Sequence, residues 1–325
     1  MNTPLPTYVA FHTSDRCDAR CLHCDIWKLK ESPEMPPERL AGIARSISRW
    51  LGPIMIQIAG GEPLISPNAK ALMIECARLH MPMTVTTNGQ HLDDHWAQLL
   101  TGWKVRYVNI SLDGFSALHD RIRGVPNAYK RALEAATRLA GRGIVKPRVT
   151  CVIMKENLDQ IVEFTKHVCE THFDGIFFQA MAQPFGQTPR PRWWQDHPLW
   201  PDNLDHVGSV IGKLIQLKKM GYPILNRHEQ FEAMRAYYTN PEHFCMADCT
   251  VGEHGLTIDP DGTVRLCPRL PNIGSALNAD LKDIWFSQSA DECRRTMRRC
   301  QTNCHLLINC VFDKDQLLGT TRPTP

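Results

Sequence analysis

No stretch of the 325 residues approaches the roughly 20 consecutive apolar positions that a membrane-spanning helix requires. The first fifteen residues, MNTPLPTYVAFHTSD, hold no lysine or arginine, so the basic start of an export signal is missing as well. The chain is expected to be cytoplasmic, without a membrane span. Charge of one sign is also scarce in excess. The 37 Lys and Arg oppose 34 Asp and Glu, and the pI of 8.2 lies below the value above about 9 typical of a nucleic-acid-binding domain. No nucleic-acid partner is expected. Internal repeats and low-complexity segments are missing, and 43% apolar with 22% charged residues excludes disorder and suits one large or two medium domains.

Cysteine, by contrast, is abundant, with thirteen residues clustered towards both ends of the chain. An odd count without an export signal fits thiolates on a metal or cluster in a reducing compartment better than a disulfide framework. Cys76, Cys151 and Cys169 stand apart among apolar neighbours and are expected to pack as small hydrophobes.

Short β-branched or apolar runs recur at 7–13, 53–59, 83–87, 106–112, 147–154 and 175–181, each read as a buried strand. Helical patterns alternate with them at 36–50, 66–80, 93–102, 128–143 and 157–170, so the sheet should be parallel. Six such units make either a doubly wound sheet or a partial barrel. The proline-rich text of 183–201, holding Trp193, Trp194 and Trp200, reads as a linker whose rings cover the barrel mouth or anchor the loop. Helical patterns at 203–221 and 229–238 follow, then dense cysteines from Cys245 to Cys310. The expected organisation is a core over 1–200, a helical connection over 201–240 and a cysteine-rich α+β domain over 241–325.

After the first strand comes DRCDARCLHC, with Cys17, Cys21 and Cys24 spaced C-x3-C-x2-C. A structural zinc would need a fourth ligand, His12 or His23. Three thiolates on a 4Fe-4S cluster would instead leave one iron open to a small molecule. Further motifs stand where predicted strands end: AGGEP with Gly60, Gly61, Glu62 and Pro63; TTNG with Asn88; SLDG with Ser111 and Asp113; and Arg123 in HDRIRG. Ligand-type residues at successive strand ends suit a barrel with its site on the upper face better than a doubly wound sheet, which gathers them at one switch point.

These motifs resemble those of the radical S-adenosylmethionine (radical SAM) enzymes over about residues 6–182. The resemblance implies a partial (β/α)6 TIM-type barrel whose 4Fe-4S cluster on Cys17, Cys21 and Cys24 binds S-adenosylmethionine and cleaves it reductively to a 5′-deoxyadenosyl radical. It further implies that His23 lies along the adenine, that Gly60 to Pro63 hold the amino group, and that Ser111 and Arg123 bind the carboxylate. Asp113 is either structural or faces the ribose, and the bland alternative for Arg123 is a surface salt bridge. An electron donor such as flavodoxin or ferredoxin is implied as partner.

In the C-terminal part, Cys249 is followed by GLTIDPDGTVRLC, a hairpin ending at Cys267, with the spacing C-x12-G-x4-C. This resembles the opening of a SPASM or shortened "twitch" domain, which holds auxiliary 4Fe-4S clusters. The end of the chain, CQTNCHLLINC, departs from the two-cluster pattern, so one auxiliary cluster is expected on Cys249, Cys267 and two of Cys300, Cys304 and Cys310, with Cys245 a possible substitute. A structural zinc on the same thiols is the alternative. Arg294, Arg295, Arg298 and Arg299 read as a solvated basic stripe.

The function expected is hydrogen abstraction from a substrate carbon, with the auxiliary cluster assisting oxidation or bond formation on a peptide or small metabolite. Sulfatase maturation is disfavoured, because Pro268 follows Cys267 where the resemblance calls for an aspartate. The alternatives are an epimerase using Cys245 or Cys293 as hydrogen donor, and a non-enzymatic zinc or iron-sulfur scaffold.

Overall fold

The computed structural model describes residues 3–29, 32–241, 249 and 251–300. Six strands form in chain order: β1 (Tyr8–His12), β2 (Met55–Ala59), β3 (Met83–Thr87), β4 (Tyr107–Ser111), β5 (Lys146–Ile153) and β6 (Ile176–Ala180). Between them run α1 (Pro37–Leu51), α2 (Pro67–Arg78), α3 (Asp94–Gly102), α4 (Ser116–Arg123), α5 (Ala128–Leu139) and α6 (Ile161–Cys169). All five adjacent strand pairs are parallel. The strand and helix patterns of the sequence therefore land where they were read, save that α4 emerges from a segment read only for its ligand residues.

Local chemistry sets the helix starts. Ser66 caps α2 by accepting from Ala69 N, with Pro67 preset for the first turn, and Asp93 caps α3 by accepting from Trp96 N.

Past β6, α7 (Leu204–Lys219) and α8 (His228–Thr239) pack together, and α9 (Val251–His254) leads into β7 (Gly255–Ile258), β8 (Thr263–Arg265) and β9 (Gly274–Ser275). Helices α10 (Leu281–Trp285) and α11 (Gln288–Arg298) follow. The hairpin does not stand alone. β7 pairs in parallel with β1, so the described residues form one nine-stranded sheet in the order β6-β5-β4-β3-β2-β1-β7-β8-β9. The edges β6 and β9 are not neighbours, which leaves the barrel open.

One face of this sheet is fully buried under the helices, with Val9, Phe11, Ile56, Ile58, Val85, Val108, Ile110, Val149, Ile153 and Phe178 in the core. The opposite face mixes polar and apolar side chains, most of them half-buried. Register places Ala10 beside Gln57 and Thr257, Thr86 beside Asn109, Ser111 beside Thr150, and Val152 beside Gln179. Side chains in the middle of a sheet stay partly accessible only where they line an open concavity, here the lumen of the partial barrel. No helix among the described residues is long and apolar enough to cross a membrane.

The linker tryptophans anchor rather than dangle. Trp193 is buried and meets Trp200 edge-on at 5.4 Å, and Trp200 packs on Tyr237 and Tyr238 of α8 at 5.3 and 5.0 Å. Tyr238 Oη donates to Ile153 O at 2.6 Å, tying α8 to the end of β5. Cys76 and Cys151 are fully buried, as packing residues should be, whereas Cys169 is half-buried.

Candidate active site at the upper rim of the barrel

The loop after β1 carries Cys17, Cys21 and Cys24, none of them in a disulfide. It is clamped from two sides. Gly61 N donates to Ser14 O at 2.7 Å and Glu62 N to Arg16 O at 2.8 Å. A Cβ on Gly61 would lie 2.1 Å from Arg16 O, so only glycine lets the two backbones come this close. On the other side Arg20 N and Leu22 N donate to Arg123 O and Ile122 O, both at 2.9 Å, seating the loop on the end of α4. That end is closed by Gly124 in the left-handed conformation, φ 63°, with Arg20 O only 2.8 Å from where its Cβ would stand.

Glu62 is almost fully buried and internally engaged. Its carboxylate accepts from Leu64 N at 2.9 Å, Thr87 Oγ1 at 2.7 Å and Asn88 N at 2.7 Å, bridging the loops after β2 and β3. Three of about four acceptor positions are thus filled, leaving one for a ligand ammonium. Burial pushes its carboxyl up to about 7 against these donors. Asn88 is likewise tied in, with Nδ2 donating to Asp18 Oδ1 at 2.8 Å. Asp18 lies between the first two cysteines and also faces His91 Nε2 at 3.0 Å.

Arg123 is not on the surface, which removes the salt-bridge alternative of that kind. Its Nη2 stands 2.6 Å from Asp113 Oδ2, and its Nη1 3.6 Å from Cys21 Sγ. Asp113 is completely buried, and its Oδ1 accepts from Val152 N at 3.0 Å. Burial alone would raise its carboxyl, but the charge of Arg123, with the hydrogen bond from Val152 N, holds it below the ordinary carboxylate range. Both Asp113 carboxylate oxygens are thus engaged within the protein. Ser111 ends β4 on the lumen face, half-buried.

Sequence reasoning missed two members of this cluster. His119 Nδ1 accepts from Asp113 N at 3.1 Å, and Asn157 Nδ2 donates to Asp113 O at 2.9 Å and Val152 O at 2.8 Å. His119 stands within the HDRIRG text, but nothing in that text says that its ring turns inward. Burial, followed by the charge of Arg123, lowers both His119 and His23 to about 4, so both are neutral.

The rim fits a thiolate-bound cluster with a polar ligand. His23 Nδ1, His119 Nε2 and Arg123 Nε are buried without a hydrogen-bond partner around the cysteine loop, an arrangement that costs free energy unless a further group is seated there. Burial pushes the bare Cys17 and Cys24 thiols up to about 12 and 11, so loading iron displaces protons. Among the described residues no three His, Cys, Asp or Glu side chains stand close enough to hold a single metal ion.

In the C-terminal part, Cys249 and Cys267 pack against the core at the two ends of the β7–β8 segment, and Cys300 follows α11, its N donating to Met297 O at 3.1 Å. Cys245, Cys304 and Cys310 lie outside the described residues. Cys293, a candidate hydrogen donor in the alternative epimerase reading, is buried on α11, and burial, then the neighbouring Cys267, raises its thiol to about 11. The basic stripe needs correcting at Arg294. That guanidinium is buried, lies 4.2 Å from the Trp285 ring centroid and donates to Gly252 O at 3.0 Å and Trp285 O at 2.9 Å. Arg298 extends the same tie by pairing with Glu253 at 2.7 Å.

Residues 11–168 match the Radical SAM superfamily, and residues 249–310 match the SPASM iron-sulfur cluster-binding domain. The chain is 32% identical over 184 residues to pre-heme d1 synthase of Dinoroseobacter shibae, a match spanning 55% of this chain and 44% of that protein. It is 28% identical over 309 residues to GTP 3′,8-cyclase 2 of Pseudomonas aeruginosa, covering 88% and 84% of the two chains. Streptococcus suis SuiB bound to its precursor peptide SuiA shares the fold, with a TM-score of 0.69 at 19% identity over 94% of this chain and 71% of SuiB. The barrel with its cysteine loop, the hairpin domain stitched to β1 and these matches lead to one conclusion: the chain belongs to the radical SAM superfamily, as an enzyme with a C-terminal SPASM domain whose cofactors are a 4Fe-4S cluster, S-adenosylmethionine and an auxiliary iron-sulfur cluster.

Proposed function

We propose that this enzyme oxidises or cross-links a polar substrate, a peptide segment in the first instance, by hydrogen abstraction inside the barrel lumen. Cys17, Cys21 and Cys24 would hold a 4Fe-4S cluster that, with S-adenosylmethionine bound, would supply the 5′-deoxyadenosyl radical for hydrogen abstraction. Gly60 to Pro63 and Asn88 form the backbone cradle for its methionyl amino group, with one Glu62 lone pair to accept from it. Ser111 and Arg123 receive its carboxylate, Arg123 being held in place by Asp113, and His23 offers a neutral ring to the adenine. Cys249 and Cys267, with two of Cys300, Cys304 and Cys310, or with Cys245, hold the auxiliary cluster that accepts the electron left on the substrate.

The observation that carries the substrate class is the lumen face. Gln57, Thr86, Asn109, Thr150, Gln179 and Thr257 supply amides and hydroxyls, interspersed with Ala10, Val152, Phe177 and Arg148, and no strand residue on that face is a carboxylate. Such a lining matches the alternating donors and acceptors of peptide groups. SuiB, of the same fold, has been crystallised with a precursor peptide.

The test is stimulation of 5′-deoxyadenosine formation by fractionated extract of the producing cells. The peptide reading expects the stimulating activity in the protease-sensitive fraction. Activity that survives protease and passes a small-molecule filter would replace the peptide with a metabolite.

A further inference from the structure

His12 closes β1 on the lumen face, in register with Ala59, one residue before the Gly60-Gly61 cradle. Its Nδ1 lies 3.4 Å from Asp259 Oδ1. Asp259 is fixed in turn: its Oδ2 accepts from Arg265 Nε at 2.6 Å, and its N donates to Thr263 O at 2.9 Å across the turn of the hairpin. Because β7 pairs with β1 up to Phe11 and Ile258, the next residue of each strand is the dyad itself. A carboxylate facing Nδ1 keeps the ring proton on that nitrogen and leaves the Nε2 lone pair available. The ring is 39% exposed.

Two other carboxylates lie nearby. Glu34 accepts from Ser14 Oγ at 2.7 Å and Asn68 Nδ2 at 3.2 Å and faces Arg16 at 3.5 Å, while Asp15, hydrogen-bonded by Ser32, also turns its charge towards His12 and Asp259. The residue after Cys267 is Pro268, which holds no proton.

We propose that His12 is the proton acceptor for the substrate, with Asp259 and Arg265 as its positioning residues. The inference rests on the oxidative reading above. The balance is closed: one hydrogen atom leaves a substrate carbon for the 5′-deoxyadenosyl radical, one proton leaves the neighbouring O–H, N–H or S–H for His12 Nε2, and one electron passes to the auxiliary cluster. The substrate, two hydrogens poorer, gains a double bond or a new bond from that heteroatom to carbon.

The test begins with diethyl pyrocarbonate, which acylates unprotonated imidazole, on the anaerobic reconstituted enzyme with site-resolved mass spectrometry. At one fixed pH His12 should be acylated in wild type and at least about threefold more slowly in Asp259→Asn, where the carboxylate that keeps the ring proton on Nδ1 is gone. A His12 that does not react, or a rate that Asp259→Asn leaves unmoved, overturns the dyad. The second arm uses His12→Gln with the stimulating extract fraction. Oxidised product per 5′-deoxyadenosine formed should fall by about 100-fold or more. Normal product from His12→Gln overturns the assignment, whereas wild type that makes no 5′-deoxyadenosine overturns the parent reading instead.

Discussion

Arg123 and Asp113 form a buried ion pair, Nη2 to Oδ2 at 2.6 Å, and the same guanidinium reaches the Sγ of Cys21 at 3.6 Å. One side chain thus links the end of β4 to the cysteine loop. Arginine suits the position because its fork presents separate donors to a carboxylate and to a second acceptor at once. The pair turns the position of Cys21 into a consequence of the barrel's own core.

Removing one partner leaves a buried charge uncompensated. Asp113→Asn should cost about 3–5 kcal/mol in chemical unfolding of the cluster-free protein, while Asp113→Asn/Arg123→Met should cost clearly less than the sum of the two single changes. Equal and additive costs would show that the two side chains do not act as a pair.

Glu62 gives a pH signature. The folded protein holds its proton to about 7, against the ordinary 4.5, so folding takes up a proton between those values. This contribution is fully present below about 4.5 and is lost as pH rises through about 7. The stability of wild type relative to Glu62→Gln should therefore decline across that window, measured by urea unfolding in a pH series. A flat difference would contradict the burial argument.

Gly61→Ala should disturb the first cluster selectively. The new Cβ collides with the Arg16 backbone, and the loop must move away from its anchors at Ser14 and Arg16. We expect about half the iron of wild type or less after reconstitution, with the secondary structure retained by circular dichroism. Full iron loading would show that the loop does not depend on this close approach.

Much of this was legible in the sequence because periodicity and motif spacing are local. The strand runs, the helical patterns between them and the cysteine loop are each written within a dozen or so residues. What stayed hidden depends on partners far along the chain. The inward turn of His119 needs Asp113 buried beneath it, and the pairing of β7 with β1 joins residues some 250 positions apart. Arg294 shows the same limit from the other side: RR next to a cysteine reads as a solvated face, but two carbonyls and the Trp285 ring draw the first arginine inside.

Arg294 therefore behaves as a core residue, unlike Arg295 and Arg299. Arg294→Ala should destabilise by about 2–4 kcal/mol, having stranded two buried carbonyls, whereas Arg295→Ala should fall within about 0.5 kcal/mol of wild type. Thermal unfolding of the two variants side by side separates them, and similar shifts for both would contradict the burial.

The central claim is that Cys17, Cys21 and Cys24 hold the cluster that cleaves S-adenosylmethionine. The direct measurement is iron and sulfide content with 5′-deoxyadenosine formation from S-adenosylmethionine and dithionite, comparing anaerobically reconstituted wild type with Cys17→Ala/Cys21→Ala/Cys24→Ala. The account predicts about four fewer irons in the variant, one 4Fe-4S cluster's worth, and no 5′-deoxyadenosine from it. A variant that keeps its full iron and still forms 5′-deoxyadenosine, or a wild type that binds zinc in place of iron, would contradict it.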